Sequence, residues 1–206
     1  MGTDEDTKQA EGVKFLERDF NQCFEQMRHY DSQIIDLGKF AFTAYPVVVG
    51  AAVGIYKYGL EKSIDYSKAA GMIPLIAFFP GLFLLWHMVR TRVYFVRVTR
   101  YINEHRKVFL ALNQLFFPNK AGMYNNPAEP HYFDRYSSQL YFMCILAILN
   151  SFLGGVAVYL FTVRCTSQWT WVGIGFVGLL IIQLAPMIHH LRSEKTKPAG
   201  YRDPTT

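Results

Sequence analysis

Apolar residues follow two patterns along this chain, unbroken runs and a stripe with alternating spacings of three and four. The runs extend from about Phe40 to Tyr56, Ala69 to Met88, Leu140 to Val163 and Trp169 to Ile188, and none contains Asp, Glu, Lys or Arg. A helix rises about 1.5 Å per residue, so about 20 residues cross the ~30 Å hydrocarbon core of a bilayer, where each charge costs several kcal/mol. The four runs therefore predict four transmembrane helices. Lys39 and Lys57 flank the shortest run and can snorkel, which extends it through Leu37 and Tyr58. Unbroken rather than alternating apolarity excludes barrel strands. The chain opens with Asp4, Glu5 and Asp6 and shows nothing like a signal peptide, so the first span is expected to act as its own insertion signal.

The stripe occurs twice. Val13, Leu16, Phe20, Cys23, Met27, Tyr30, Ile34 and Leu37 form a heptad seam, and Gly38 after it predicts a joint into the first span. No Gly or Pro falls between Leu82 and Phe117, so the second span should continue as a helix with a seam of Tyr94, Val98, Tyr101, His105, Val108, Leu112 and Leu115. One helix runs toward the membrane and the other away, which predicts an antiparallel coiled pair. Its contacts should involve Phe20, Met27, Tyr101, His105 and Leu112. Charge agrees: acids outnumber bases between Glu11 and Asp36, while Arg90 to Lys107 holds only Glu104 against its basic residues. The other use of a basic helix is to lie on anionic lipid.

Pro118, Pro127 and Pro130, with Asn125 and Asn126, break the helix over most of 118–136. A loop this long and aromatic is packed or functional, and Tyr124, His131, Tyr132, Phe133, Asp134 and Arg135 are its candidate docking residues. The layout is then an all-α membrane protein: a cytoplasmic amphipathic helix over 1–38, a transmembrane hairpin over 39–90, a helical extension over 91–117, the loop over 118–136, a second hairpin over 137–190 and a tail over 191–206.

Charge supplies the orientation. Seventeen of the 21 Lys and Arg residues fall in 1–39, 89–139 and 191–206, and only Lys57, Lys62, Lys68 and Arg164 fall on the other side. The positive-inside rule then places both termini and the loop in the cytoplasm. The net charge of +5 is largely topology signal, so no nucleic-acid partner is expected. Cys23, Cys144 and Cys165 fall in three different compartments of this layout, which excludes an intramolecular disulfide.

Inside the membrane, Gly50 and Gly54, and Ala147, Ser151 and Gly155, repeat at four-residue spacing, the pattern by which helices approach closely in lipid. These are candidate packing or oligomerisation stripes. Asn150 and Gln183 are deep neutral polar groups that should meet across the last hairpin or line a polar path. Pro46, Pro74, Pro80 and Pro186 are kink candidates, with Pro80 beside Gly81 the strongest. No zinc-binding pair, phosphate-cradling loop or nucleophile elbow occurs, so neither enzyme activity nor a metal or other cofactor is expected. His131, Asp134 and Arg135 form the one cluster that merits a test for chemistry. No internal repeat relates the two hairpins, which argues against a transporter.

The stretches Arg28 to Ala41 (RHYDSQIIDLGKFA) and Val98 to Lys107 (VTRYINEHRK) are similar to segments of uncharacterised bacterial four-span membrane proteins. The first 117 residues, two long amphipathic helices flanking a two-span hairpin, resemble in layout the SLATT-type membrane effectors of bacterial conflict and antiviral systems. That resemblance implies a non-enzymatic inner-membrane effector that oligomerises and perturbs the bilayer when a cytoplasmic partner signals. A passive anchor or scaffold for a cytoplasmic complex is the competing expectation, with a small transporter or channel behind it.

Overall fold

A computed structural model describes residues 3–111 and 126–194 of the chain. Four helices make up their regular structure: α1 (Thr3–Glu61), α2 (Ser67–Ala111), α3 (Ser138–Phe161) and α4 (Gln168–Ser193). Each is long and apolar enough to cross a membrane. With 24 and 26 residues, α3 and α4 extend about 36 and 39 Å, close to a bilayer's thickness. By the same rise, the 59 residues of α1 and 45 of α2 reach about 90 and 70 Å. Both therefore project past one end of the four-helix region, here called the extension end.

The two extensions lie side by side in opposite directions. Tyr30 stacks on Tyr94 with ring centroids 6.0 Å apart, Tyr101 Oη donates to Asp19 Oδ2 at 2.9 Å, and Phe20 meets the edge of Phe109 at 6.3 Å. Met27 is half-buried on the same face of α1. Leu112 lies outside the described residues. On α2 the buried positions are shifted from the expected stripe: Tyr94, Tyr101 and Val108 are exposed, while Arg92, Val96, Thr99 and Asn103 are buried along with His105. The reason is a second partner. One flank of α2 meets α1, and the adjoining flank is covered by residues 126–139 and the end of α4.

α1 continues through Gly38 without a break. The glycine instead makes room for the Phe142 ring of α3, whose Cδ1 would lie 2.8 Å from an added Cβ. Pro46, Pro74, Pro80 and Pro186 likewise sit inside continuous helices. At the opposite end, α1 closes with Ile64 N–H donating to Gly59 O at 2.9 Å and Ser63 in the left-handed region at φ 54°. Asp65 then accepts from the Ser67 N–H and hydroxyl at 3.1 and 2.6 Å, satisfying the start of α2. Its other oxygen meets Arg164 at 2.8 Å, tying the two turns together.

The main core gathers Ile34, Met88, Val89, Val96, Met143, Leu146, Leu153, Met187 and Leu191, and a smaller cluster of Ala52, Ala70 and Leu160 lies toward the turn end. α3 packs against all three other helices. Its most apolar stretch is 50% buried, against 11% for that of α4.

Candidate functional site

Two buried polar networks hold the molecule. The first lies in the apolar region. Asn150 Nδ2 donates to Gln183 Oε1 at 3.0 Å, and Gln183 Nε2 donates to Ser151 Oγ at 3.0 Å and Leu179 O at 3.1 Å. Ser151 Oγ in turn donates a hydrogen bond to Ala147 O at 2.8 Å. Tyr45 of α1 joins by donating to Asn150 Oδ1. α2 contributes an absence, since a Cβ on Gly81 would overlap both Asn150 Oδ1 and Tyr45 Oη. All four helices thus meet at one neutral network in a medium that offers no competing donors. The sequence singled out Asn150 and Gln183 and missed Tyr45, whose signal was its depth within the run, away from the interface where tyrosines gather.

The second network, at the extension end, was not legible as a site. Arg92, 3% exposed, donates through Nη1 to Gln139 Oε1 at 2.9 Å, through Nη2 to His131 O at 2.9 Å and through Nε to Tyr132 O at 3.4 Å. Gln139 Nε2 donates onward to Asp31 Oδ1 at 2.7 Å, which links α1, α2 and α3. Burial pulls the Arg92 guanidinium down to about 10, with Asp134 and Asp31 acting in the opposite direction, so it stays charged at neutral pH. Farther along α2, Arg100 Nε donates to Pro130 O at 3.1 Å, and Asn103 Nδ2 donates to Glu129 O at 2.9 Å and Asn126 O at 3.1 Å. Pro127 and Pro130 have no N–H and interrupt any regular ladder, so the carbonyls around them need outside donors. α2 supplies them from one face.

A cavity of about 890 Å³ opens within this network, walled by α1, α2 and residues 129–139. Arg92, Asn103, Arg106, Gln139, Asp31 and Asp134 line it together with Phe24, Met27 and Phe95. Its size and mixed polar and aromatic wall are those of a small-molecule site. The loop residues divide around it. Tyr132 is buried beneath the Arg100 guanidinium at 4.5 Å, and Phe133 packs under Arg192 at 4.9 Å. Asp134 Oδ1 accepts the Tyr136 N–H at 3.0 Å. Arg135 and Tyr136 are exposed, and His131 is exposed while also lining the cavity. Tyr124 lies outside the described residues. Arg97 of α2 meets the buried Glu194 at 2.8 Å, which ties α2 to the end of α4.

The remaining candidates are dispersed. His105 is buried with Nε2 3.4 Å from Asp19 Oδ2 and its ring 4.4 Å from that of Tyr101. Cys23 lies in the same stretch, its thiol pushed up by burial and by Asp19, away from reactivity. Ala147 and Ser151 are buried, and Gly155 faces Phe176 and Val172 of α4. Gly50 and Gly54 are exposed, and a Cβ added at either would meet nothing within 4 Å among the described residues. All three cysteines are free, and no group of three or more His, Cys, Asp or Glu among the described residues is placed to hold a metal. The fold and these networks define a multi-pass, all-helical membrane protein class with a polar cavity at one end. No protein-family model, curated protein or solved structure matches the chain.

Proposed function

We propose that this chain is a signal-receiving protein of a bacterial inner membrane, with both termini and the extension end in the cytoplasm, which oligomerises and permeabilises the bilayer on a cue. The observation that carries the reading is the cavity around Arg92: a polar, walled chamber on the part of the molecule too long to be membrane-embedded. The charge asymmetry of the sequence supports the orientation. The outward Gly50 and Gly54 stripe is compatible with contact between copies. The resemblance in layout between the first 117 residues and SLATT-type effectors is what suggests a role in defence or stress.

One observation favours the competing reading of an anchor or scaffold. Asn150 and Gln183 bond to each other and to Tyr45 and Ser151 within one chain, so they do not offer a ready polar lining for a pore. Dye release from liposomes separates the two. Purified protein reconstituted at increasing density should release dye in step with oligomer formation. An oligomer that holds the dye at every density moves the assignment to the scaffold. Orientation is read independently, since Cys165 is exposed and should react with a membrane-impermeant maleimide from outside, whereas Cys23 should require permeabilised cells.

A further inference from the structure

The Arg92 cavity sets a buried cation and several carboxylates around one chamber. A guanidinium has five N–H donors. Arg92 spends three of them, all on neutral oxygens, and joins none of the ion pairs among the described residues. Its guanidinium lies over the Phe95 ring at 5.5 Å, and Asp134 and Asp31 act on it through space and not by direct contact, so two N–H donors remain for a group in the cavity. α3 begins at the same wall, and its N-cap Ser137 makes no side-chain cap bond. The start of α3 and the hydroxyls of Ser137 and Ser138 therefore add donors to the wall that carries Arg92.

A simple anion does not match the rest of the wall. Asp31, Glu129 and Asp134 also line the cavity and outnumber Arg92 and Arg106. A simple cation would leave the Arg92 donors unfilled and meet its repulsion. Gln139 sets the two requirements side by side, because its carbonyl holds Arg92 and its amide holds Asp31.

We propose that this cavity binds a small zwitterion, with its acid group on Arg92 and the start of α3 and its primary amine between Asp31 and Asp134. The proposal gives the cue a chemical class, and it rests on the reading above only for that role as a cue. Two sources share the chemistry. One is a soluble amino acid or phosphorylated amine, and the other is the phosphatidylethanolamine headgroup, since Arg92 lies one helical turn past Met88, where the second apolar run ends.

The test is calorimetric binding to the full-length protein in detergent, with O-phosphoethanolamine, inorganic phosphate and ethanolamine as probes. O-phosphoethanolamine should bind at least about tenfold more tightly than either half-ligand. Arg92→Gln should abolish that binding. Asp31→Asn combined with Asp134→Asn keeps the oxygens that accept from Gln139 and the Tyr136 N–H, and removes only charge. That double variant should drop O-phosphoethanolamine to the affinity of phosphate while phosphate binds no worse, so it decides the matter even if Arg92→Gln misfolds. In nanodiscs, stabilisation by phosphatidylethanolamine over phosphatidylcholine that the double variant loses identifies the lipid source. Binding in detergent with no such lipid preference identifies the soluble one, and either upholds the site. Equal affinity for phosphate and O-phosphoethanolamine overturns it, as does absence of both probe binding and lipid preference. Binding is measured apart from dye release, so a protein that binds the zwitterion and never leaks loses only the permeabilisation reading.

Discussion

The membrane network around Asn150 and the extension network around Arg92 are buried to similar degrees and differ in what surrounds them. Around Asn150 the helices close completely, to the point that Gly81 has no room for a methyl group. Around Arg92 the same chain leaves about 890 Å³ of space beside an ion. A neutral network in lipid selects one arrangement of helices, because every alternative strands an amide where no water can reach it. A charged network outside the apolar region holds a loop in place and keeps donors and carboxylates facing a cavity. The first specifies a fold, and the second has the properties of a site.

The largest expected effect tests the second network. Arg92→Leu would leave His131 O and Gln139 Oε1 without their 2.9 Å donors and release residues 126–137, at a cost of about 3 kcal/mol. Arg92→Lys should recover little of that, since one ammonium cannot serve three acceptors spread over a planar fork. Limited proteolysis with unfolding in mixed micelles measures both. Wild-type protection of this loop in Arg92→Leu would mean that the network is decorative. Next, Gly81→Ala should cost about 2 kcal/mol by forcing Asn150 and Tyr45 apart. Adding Asn150→Ala should relieve part of that loss. Two strictly additive losses would show that Gly81 and Asn150 do not meet.

Smaller is the coupling within the membrane network itself. A double-mutant cycle of Asn150→Ala and Gln183→Ala should give about 0.6 kcal/mol, and no more than about 1.7, because the unfolded chain in lipid also finds partners for its amides. A coupling near zero would leave the 3.0 Å bond without energetic weight and remove the contrast drawn above.

How far the sequence foretold these features depended on the kind of signal. The four spans were legible because hydrocarbon enforces them residue by residue, and the Asn150–Gln183 contact followed from two amides with nowhere else to go. Tyr45 and Gly81 were harder, since each reads as an ordinary membrane residue until the neighbouring helix is in place. Gly38 and Gly81 read from the sequence as places for a joint and a kink, and the packing role of each, making space for a residue of α3, carried no signal there. Arg92 was read only as topology signal and as one of the basic residues that favour pairing with the acidic stretch of α1. Nothing in its spacing distinguishes it from Arg90 or Arg97, and its role comes from a loop some 40 positions away whose prolines lack their own donors.

A solvated contact at the turn end serves as the control for both networks. The Asp65 carboxyl is held below its usual value first by the Ser67 hydroxyl and N–H, against an opposing effect of burial, and then by Arg164 and Lys68. A depressed carboxylate contributes stability that is fully present above its unfolded value and is lost as pH falls through its folded value. The protein and Asp65→Asn should therefore differ most at neutral pH and converge on acidification below the ordinary carboxylate range. Asparagine keeps an oxygen for Ser67, so the difference reports the charge. Thermal unfolding in detergent across that pH range checks this, and high salt should shrink the gap because the pair with Arg164 is exposed. A gap that stays constant into acid, or that ignores salt, would place the stabilisation in the geometry of the turn and not in its ionisation. The surface contact would then behave like the neutral membrane network, and charge alone would no longer separate the regions of this molecule.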